Sequence, residues 1–181
     1  TDIVTLGANC PDLPTTQVIP PGPGNITSEP LLADFSHISA DSPCRIAGSP
    51  AFTSGSDIDG EPWLNPPSIG CDQFNSGSAT GALAVAIAAN FTNCASGFPV
   101  QFTAQVDGHA SCNVWSFGDG NSVSNQLAPS HSFASGGNFT VTFTAFNASN
   151  PGGVSTSLVI HVTLNPIYYV SLASANPIPP F

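Results

Sequence analysis

Trp115-Ser116-Phe117-Gly118-Asp119-Gly120 is the stretch on which the fold turns. Trp115 and Phe117 stand two positions apart and so share one face of a strand, while Gly118-Asp119-Gly120 tolerates the positive φ of a tight turn. Both aromatics are therefore assigned to a core, with Asp119 at the turn, where its side chain can cap the local backbone. Downstream, Ser130-His131-Ser132-Phe133 and Gly136-Gly137-Asn138-Phe139 lead into Thr140-Val141-Thr142-Phe143-Thr144-Ala145, which alternates at the period of a half-buried strand.

The same alternation recurs on either side. Val100, Phe102, Ala104 and Val106 alternate with Gln101, Thr103 and Gln105, and Leu158, Ile160, Val162 and Leu164 alternate with Val159, His161 and Thr163. Such strands bury one face in a two-layer fold. Leu83, Val85, Ile87 and Ala89 fit a first strand, although the intervening alanines also tolerate a helix. Ser and Gly between Asn75 and Thr80 mark a boundary.

The block from WSFGDG through SHSF and GGNFTVTFTAFN to the closing strand resembles a polycystic-kidney-disease (PKD) domain, an immunoglobulin-like β-sandwich. That resemblance covers about half of the chain and places His131 where the family pattern has its histidine, in a packed or hydrogen-bonded structural role. Such domains serve as spacers, adhesion modules and accessory modules, so fold alone does not name the job.

Ahead of the sandwich, Pro11, Pro14, Pro20, Pro21 and Pro23 disfavour a helix between Cys10 and Gly24 and leave a loop-rich segment. Gly24-Asn25-Ile26-Thr27 with Pro30-Leu31, Ser42-Pro43-Cys44 with Ala47-Gly48, Ser56-Asp57-Ile58-Asp59-Gly60-Glu61-Pro62, and Ile69-Gly70-Cys71-Asp72-Gln73-Phe74 follow in order. This order resembles the closing coils of right-handed parallel β-helices in secreted bacterial surface proteins. The tail, with Ile167-Tyr168-Tyr169-Val170-Ser171-Leu172 as a further strand, resembles the opening of another. The expected fold is thus all-β, with three parts: a β-helix-like, loop-rich segment over 1–74, a PKD-like sandwich over 80–164 and a C-terminal strand with a Pro-rich tail over 165–181.

Eleven acidic residues face one basic residue, Arg45, for a net charge of −10, which removes the electrostatic basis for binding nucleic acid or an anionic membrane. No apolar run reaches the ~18 residues of a membrane span, and Thr1 opens without a charged-then-apolar leader, so a mature product or a fragment is expected. Sequons stand at Asn25, Asn90, Asn138 and Asn147. The five cysteines form no metal-type pair and read as disulfides of an oxidising compartment, with one left over. Cys94 and Cys112 flank one strand and are expected to bridge, a loop worth roughly 3 kcal/mol; the pairing of Cys10, Cys44 and Cys71 stays open.

His37, His109, His131 and His161 show no metal-ligand spacing, and no Ser-His-Asp order sits in a nucleophile turn. Asp57-Ile58-Asp59-Gly60-Glu61 places alternate carboxylates before a Gly, as a calcium loop begins, but lacks the remaining ligands, so a polar turn is favoured. Neither metal, cofactor nor catalysis is expected. These readings together imply an extracellular or cell-surface, non-enzymatic module of a surface or fibre-forming protein. Its partners would be copies of itself, joined head to tail by strand addition, or neighbouring domains. The alternative is a carbohydrate-binding or adhesion accessory module of a larger secreted protein, with Trp63, Tyr168 and Tyr169 as platform candidates.

Overall fold

The computed structural model describes residues 26–75 and 77–164. Eight strands follow one another: β1 (Ala84–Ala89), β2 (Asn93–Ala95), β3 (Pro99–Asp107), β4 (Cys112–Ser116), β5 (Ser122–Ser124), β6 (Ser130–Ser132), β7 (Gly137–Asn147) and β8 (Asn150–Thr163). They form a three-stranded sheet, β1-β3-β6, and a five-stranded sheet, β2-β8-β7-β4-β5. Every pairing is antiparallel except β2 with β8, which run parallel.

The alternation in sequence becomes alternation in burial. Along β3, Val100, Phe102, Ala104 and Val106 point inward, and their polar neighbours point out. Asn113 and Trp115 of β4, Val141, Phe143 and Ala145 of β7, and Ile160 and Val162 of β8 close the other side. Trp115 is fully buried, 4.9 Å from the Phe143 ring and 5.6 Å from Phe102. Its indole N–H, which would be costly to strand in the core, donates to the Gln126 carbonyl at 2.9 Å. A first strand does form over the Ala-rich run: β1 pairs with β3 from Ala84 opposite Asp107 to Ala89 opposite Phe102.

The turn after Phe117 is clamped to the facing sheet. Gly118 has φ +79°, and a Cβ there would meet the Thr140 carbonyl oxygen at 2.6 Å, so only glycine fits. Asp119 Oδ1 accepts from the Asn121 amide, capping the turn, and Oδ2 lies 2.7 Å from His131 Nε2 on β6. The His131 imidazole stacks on Phe117 at 4.0 Å. Burial opposes ionisation of Asp119, but the bonds from His131 and Asn121 outweigh it and hold its carboxyl below the usual carboxylate range. A carboxyl lowered on folding contributes stability above its unfolded pKa of about 3.9, and that contribution is lost as pH falls through the lower folded value. Urea unfolding of Asp119→Asn is therefore expected to show a shallower loss of stability below about pH 4 than the parent chain; identical slopes would remove this clamp.

Residues 26–75 form a cap on one end of the sandwich, and two sequence expectations are corrected here. No parallel rungs occur among the described residues: the segment has one 3-10 turn (Pro50–Phe52) and two isolated antiparallel bridges, Leu32 with Ile38 and Ser56 with Pro62. The β-helix resemblance is thus not supported. The cap instead folds around a small core of Ile38, Cys44 and Ile69, with Arg45 over the Phe74 ring. It also joins the sandwich: Ala33 is buried in the main core, and the Asn113 side-chain amide donates to the Leu32 and Ala33 carbonyls.

The second correction concerns the bridge. Cys94 lies opposite Val162, which lies opposite Gly137, whereas Cys112 lies opposite Phe146 at the far end of β7. Nine residues of strand separate those ends, about 30 Å, far beyond the reach of a disulfide. Both are free thiols, as are Cys44 and Cys71. Cys10 and the C-terminal strand lie outside the described residues.

Candidate functional site

Chemistry-bearing side chains converge where the cap meets the β3–β4 loop. Asp34 is buried and receives the backbone amides of Ser36, His37 and Ala110 at 2.9–3.0 Å. Because Ala110 belongs to the sandwich, this carboxylate joins the two parts. Its oxygens also lie 2.7 and 2.8 Å from His37 Nδ1, so that nitrogen donates to Asp34. Burial works against ionisation of Asp34, but the bonds from His37 and from the Ser36 and Ala110 amides prevail and lower its pKa. His37 shows the converse: burial disfavours its charged form, but Asp34 and then Asp59 raise its pKa.

The opposite side of the His37 ring faces outward into the cluster. Nε2 is buried, with Asp59 Oδ2 at 3.0 Å, yet it makes no hydrogen bond. The His109 ring stacks on His37 at 3.7 Å between centroids, 16° from parallel, with Nδ1 3.8 Å from Asp59 Oδ2. His109 is itself positioned by β7, since the Asn147 side-chain amide donates to its carbonyl at 3.0 Å.

Asp57 and Asp72 complete the wall. Asp57 Oδ1 accepts from the Asp59 and Glu61 amides and Oδ2 from the Gln73 amide, so its main work is the polar turn expected of this sequence. Asp72 Oδ2 accepts from the Ile38 amide, and burial raises its pKa. Two groups have donor atoms within 4.8 Å of one another: His37, Asp59 and His109; and Asp57, Asp59 and Asp72. Sequence reasoning missed the first, because spacing along the chain carries no sign that His37 and His109 meet. The other two histidines lie elsewhere, His131 in the Asp119 clamp and His161 on the outer face of β8, 2.7 Å from Asn138 Oδ1.

The sequons separate by burial. Asn90 and Asn138 are exposed. Asn147 is 3% exposed, and its amide nitrogen donates to the Gly81 and His109 carbonyls, so it is no glycan acceptor in the folded domain. Asn25 lies outside the described residues. Produced in a host that glycosylates asparagine, the chain is expected to carry sugar at Asn90 and Asn138 and none at Asn147 by glycopeptide mapping. Sugar on Asn147 of folded protein would contradict this bonding.

Residues 84–162 match the PKD domain family model. Solved structures resemble the same region. The PKD1 domain of Vibrio anguillarum Epp is 23% identical over 47% of this chain and 98% of its own, with a TM-score of 0.39. The PKD1 domain of the Vibrio cholerae metalloprotease PrtV is 21% identical over 45% and 96%, at 0.38. A structure of carbohydrate-binding modules from the β-sandwich superfamily is 20% identical over 46% of this chain and 35% of its own, at 0.42. No curated protein matches the chain.

Proposed function

We propose that the chain, whose residues 84–162 match the PKD domain model, is a non-catalytic structural module of an extracellular surface or fibre-forming protein, joined to its neighbours by strand addition. The observation that carries this reading is the open edge of the smaller sheet. Among the described residues β1 pairs only with β3, and it consists of Ala84-Val85-Ala86-Ile87-Ala88-Ala89, without charge, proline or bulge. Protected edges normally carry such blocking features, and an uninterrupted apolar edge is a template for another strand. Phe35, 68% exposed, stands beside Ala86 and Ala88 and extends the apolar surface. The sequence 167–172 of a neighbouring copy is the candidate to add there, and such a contact is heterologous and able to propagate.

The cluster at the cap supports the non-catalytic part. His37 pairs with a carboxylate as a general base would, but its Nε2 faces Asp59 Oδ2 rather than a hydroxyl or thiol nucleophile. Among the described residues no helix is long and apolar enough to cross a membrane. In the carbohydrate-binding rival, Trp63 is half-buried, and Tyr168 and Tyr169 lie outside the described residues. Negative-stain microscopy of the full chain and of an Ala86→Lys/Ala88→Lys variant separates these readings. Filaments or chains are expected from the parent and single particles from the variant, whose lysines would charge the edge. Single particles from both, with glycan retained on an array, would favour the rival.

A further inference from the structure

We propose that His37, Asp59 and His109 form a binding site for a divalent transition-metal cation of the zinc type, at the seam between cap and sandwich. Two imidazole nitrogens and one carboxylate oxygen within 4.8 Å of one another are a donor set that suits zinc and its neighbours over calcium or magnesium, which favour all-oxygen ligation.

The surroundings of His37 supply a second, independent indication. Asp34 takes the Nδ1 proton on both oxygens, the carboxylate–histidine pairing that fixes the tautomer and orientation of a metal-binding imidazole. The lone pair on Nε2 then points into the cluster, where the atom is buried and makes no hydrogen bond. Asp59 Oδ2 stands 3.0 Å away, so in the neutral ring the Nε2 lone pair and a carboxylate oxygen face each other, a place that a proton or a metal cation can fill. A cation held by both removes that repulsion and satisfies the buried nitrogen. His109 stands alongside, its ring stacked on His37 and its carbonyl held by the Asn147 amide, and a turn about its side-chain bonds brings its nitrogen to the ion.

The neighbouring Asp57 and Asp72 do not make a second site. Both Asp57 oxygens and Asp72 Oδ2 are engaged by backbone amides, and the pair contributes negative potential that favours a cation nearby. The Asp59 side chain is 32% exposed and that of His109 21%, so the ion has an entry path on that side. His37 and Asp59 come from the cap and His109 from the β3–β4 loop. A bound ion therefore bolts the two parts together, and protein ligands number three, leaving room for water or a group from a neighbour.

The test is calorimetric titration of the full chain with zinc chloride, after removal of metal with a chelator, alongside thermal unfolding. One equivalent is expected to bind, with a rise in melting midpoint of about 5 °C or more when free zinc is in roughly hundredfold excess over Kd. Calcium at the same concentration is expected to give neither effect. His109→Ala and Asp59→Asn should each weaken binding at least about tenfold, and His161→Gln should not. Asp59→Asn conserves shape, so it decides the matter if His109→Ala folds poorly. Cobalt(II) in place of zinc is expected to show visible d–d bands without sulfur-to-metal charge transfer. Absence of binding, full binding by Asp59→Asn, or a sulfur charge-transfer band assigning the ion to cysteine would each overturn the proposal.

Discussion

Trp115→Ala is expected to lower the melting midpoint by more than about 10 °C, or to leave the sandwich unfolded. Trp115 is fully buried, contacts Phe102 in the facing sheet and Phe143 on the neighbouring strand β7, and donates its indole N–H to Gln126. Truncating a buried aromatic costs about 3 to 5 kcal/mol, from lost transfer energy and the cavity left behind. That is a large share of the ~5 to 15 kcal/mol that holds a domain together. The loss of the partner for the Gln126 carbonyl adds to it. Near-ultraviolet circular dichroism and a thermal scan measure the effect, and an unchanged midpoint would take Trp115 out of the core.

Asp34→Ala is expected to free the cap while leaving the sandwich folded. The change removes the acceptor of the Ser36, His37 and Ala110 amides and the buried counter-charge of His37. Breaking a buried ionic pair on one side costs about 3 to 5 kcal/mol. The sandwich core is built from residues of β3, β4, β7 and β8 and of the loops beside them, with Ala33 the cap's contribution, so the loss falls on docking. Trypsin reports it cleanly, because Arg45 is the single Lys or Arg in the chain and lies in the cap. In the folded protein its guanidinium sits over Phe74 and donates to the Ala40 carbonyl. If cleavage follows opening, about 3 kcal/mol corresponds to about 100-fold faster cutting. Equal rates in the two proteins would mean that Asp34 does not fasten the cap.

The sandwich was legible because its information is local. A period of two places Val100, Phe102, Ala104 and Val106 inward in any register, and Gly118 fits a turn where a Cβ would strike Thr140. Even the Asp119 cap and the structural role of His131 could be reasoned from nearby residues, although the bond between them could not. The cap was illegible for the opposite reason. Its holding contacts join Asp34 to Ala110, Asn113 to Leu32 and Asn125 to Asp41, each more than seventy positions apart and each a polar contact without a repeating pattern. The motifs there resembled β-helix rungs but carry isolated antiparallel bridges instead.

The misplaced bridge and the unforeseen meeting of two histidines share a cause. Cys94 and Cys112 bracket one strand in sequence, but β2 joins the five-stranded sheet beside β8 while β4 joins it beyond β7. Sequence proximity therefore became separation along the sheet. His37 and His109 met the reverse fate, distant in sequence and stacked in space. Topology, which local pattern does not encode, decided both.

Strand addition between copies is tested most directly by light scattering coupled to size-exclusion chromatography, on the full chain and on a chain lacking residues 166–181, across a concentration series. The open β1 edge and the donor segment 167–172 predict that the mass of the full chain rises with concentration, while the shortened chain stays at the mass of one copy. A full chain that keeps the mass of one copy throughout the series would contradict the account.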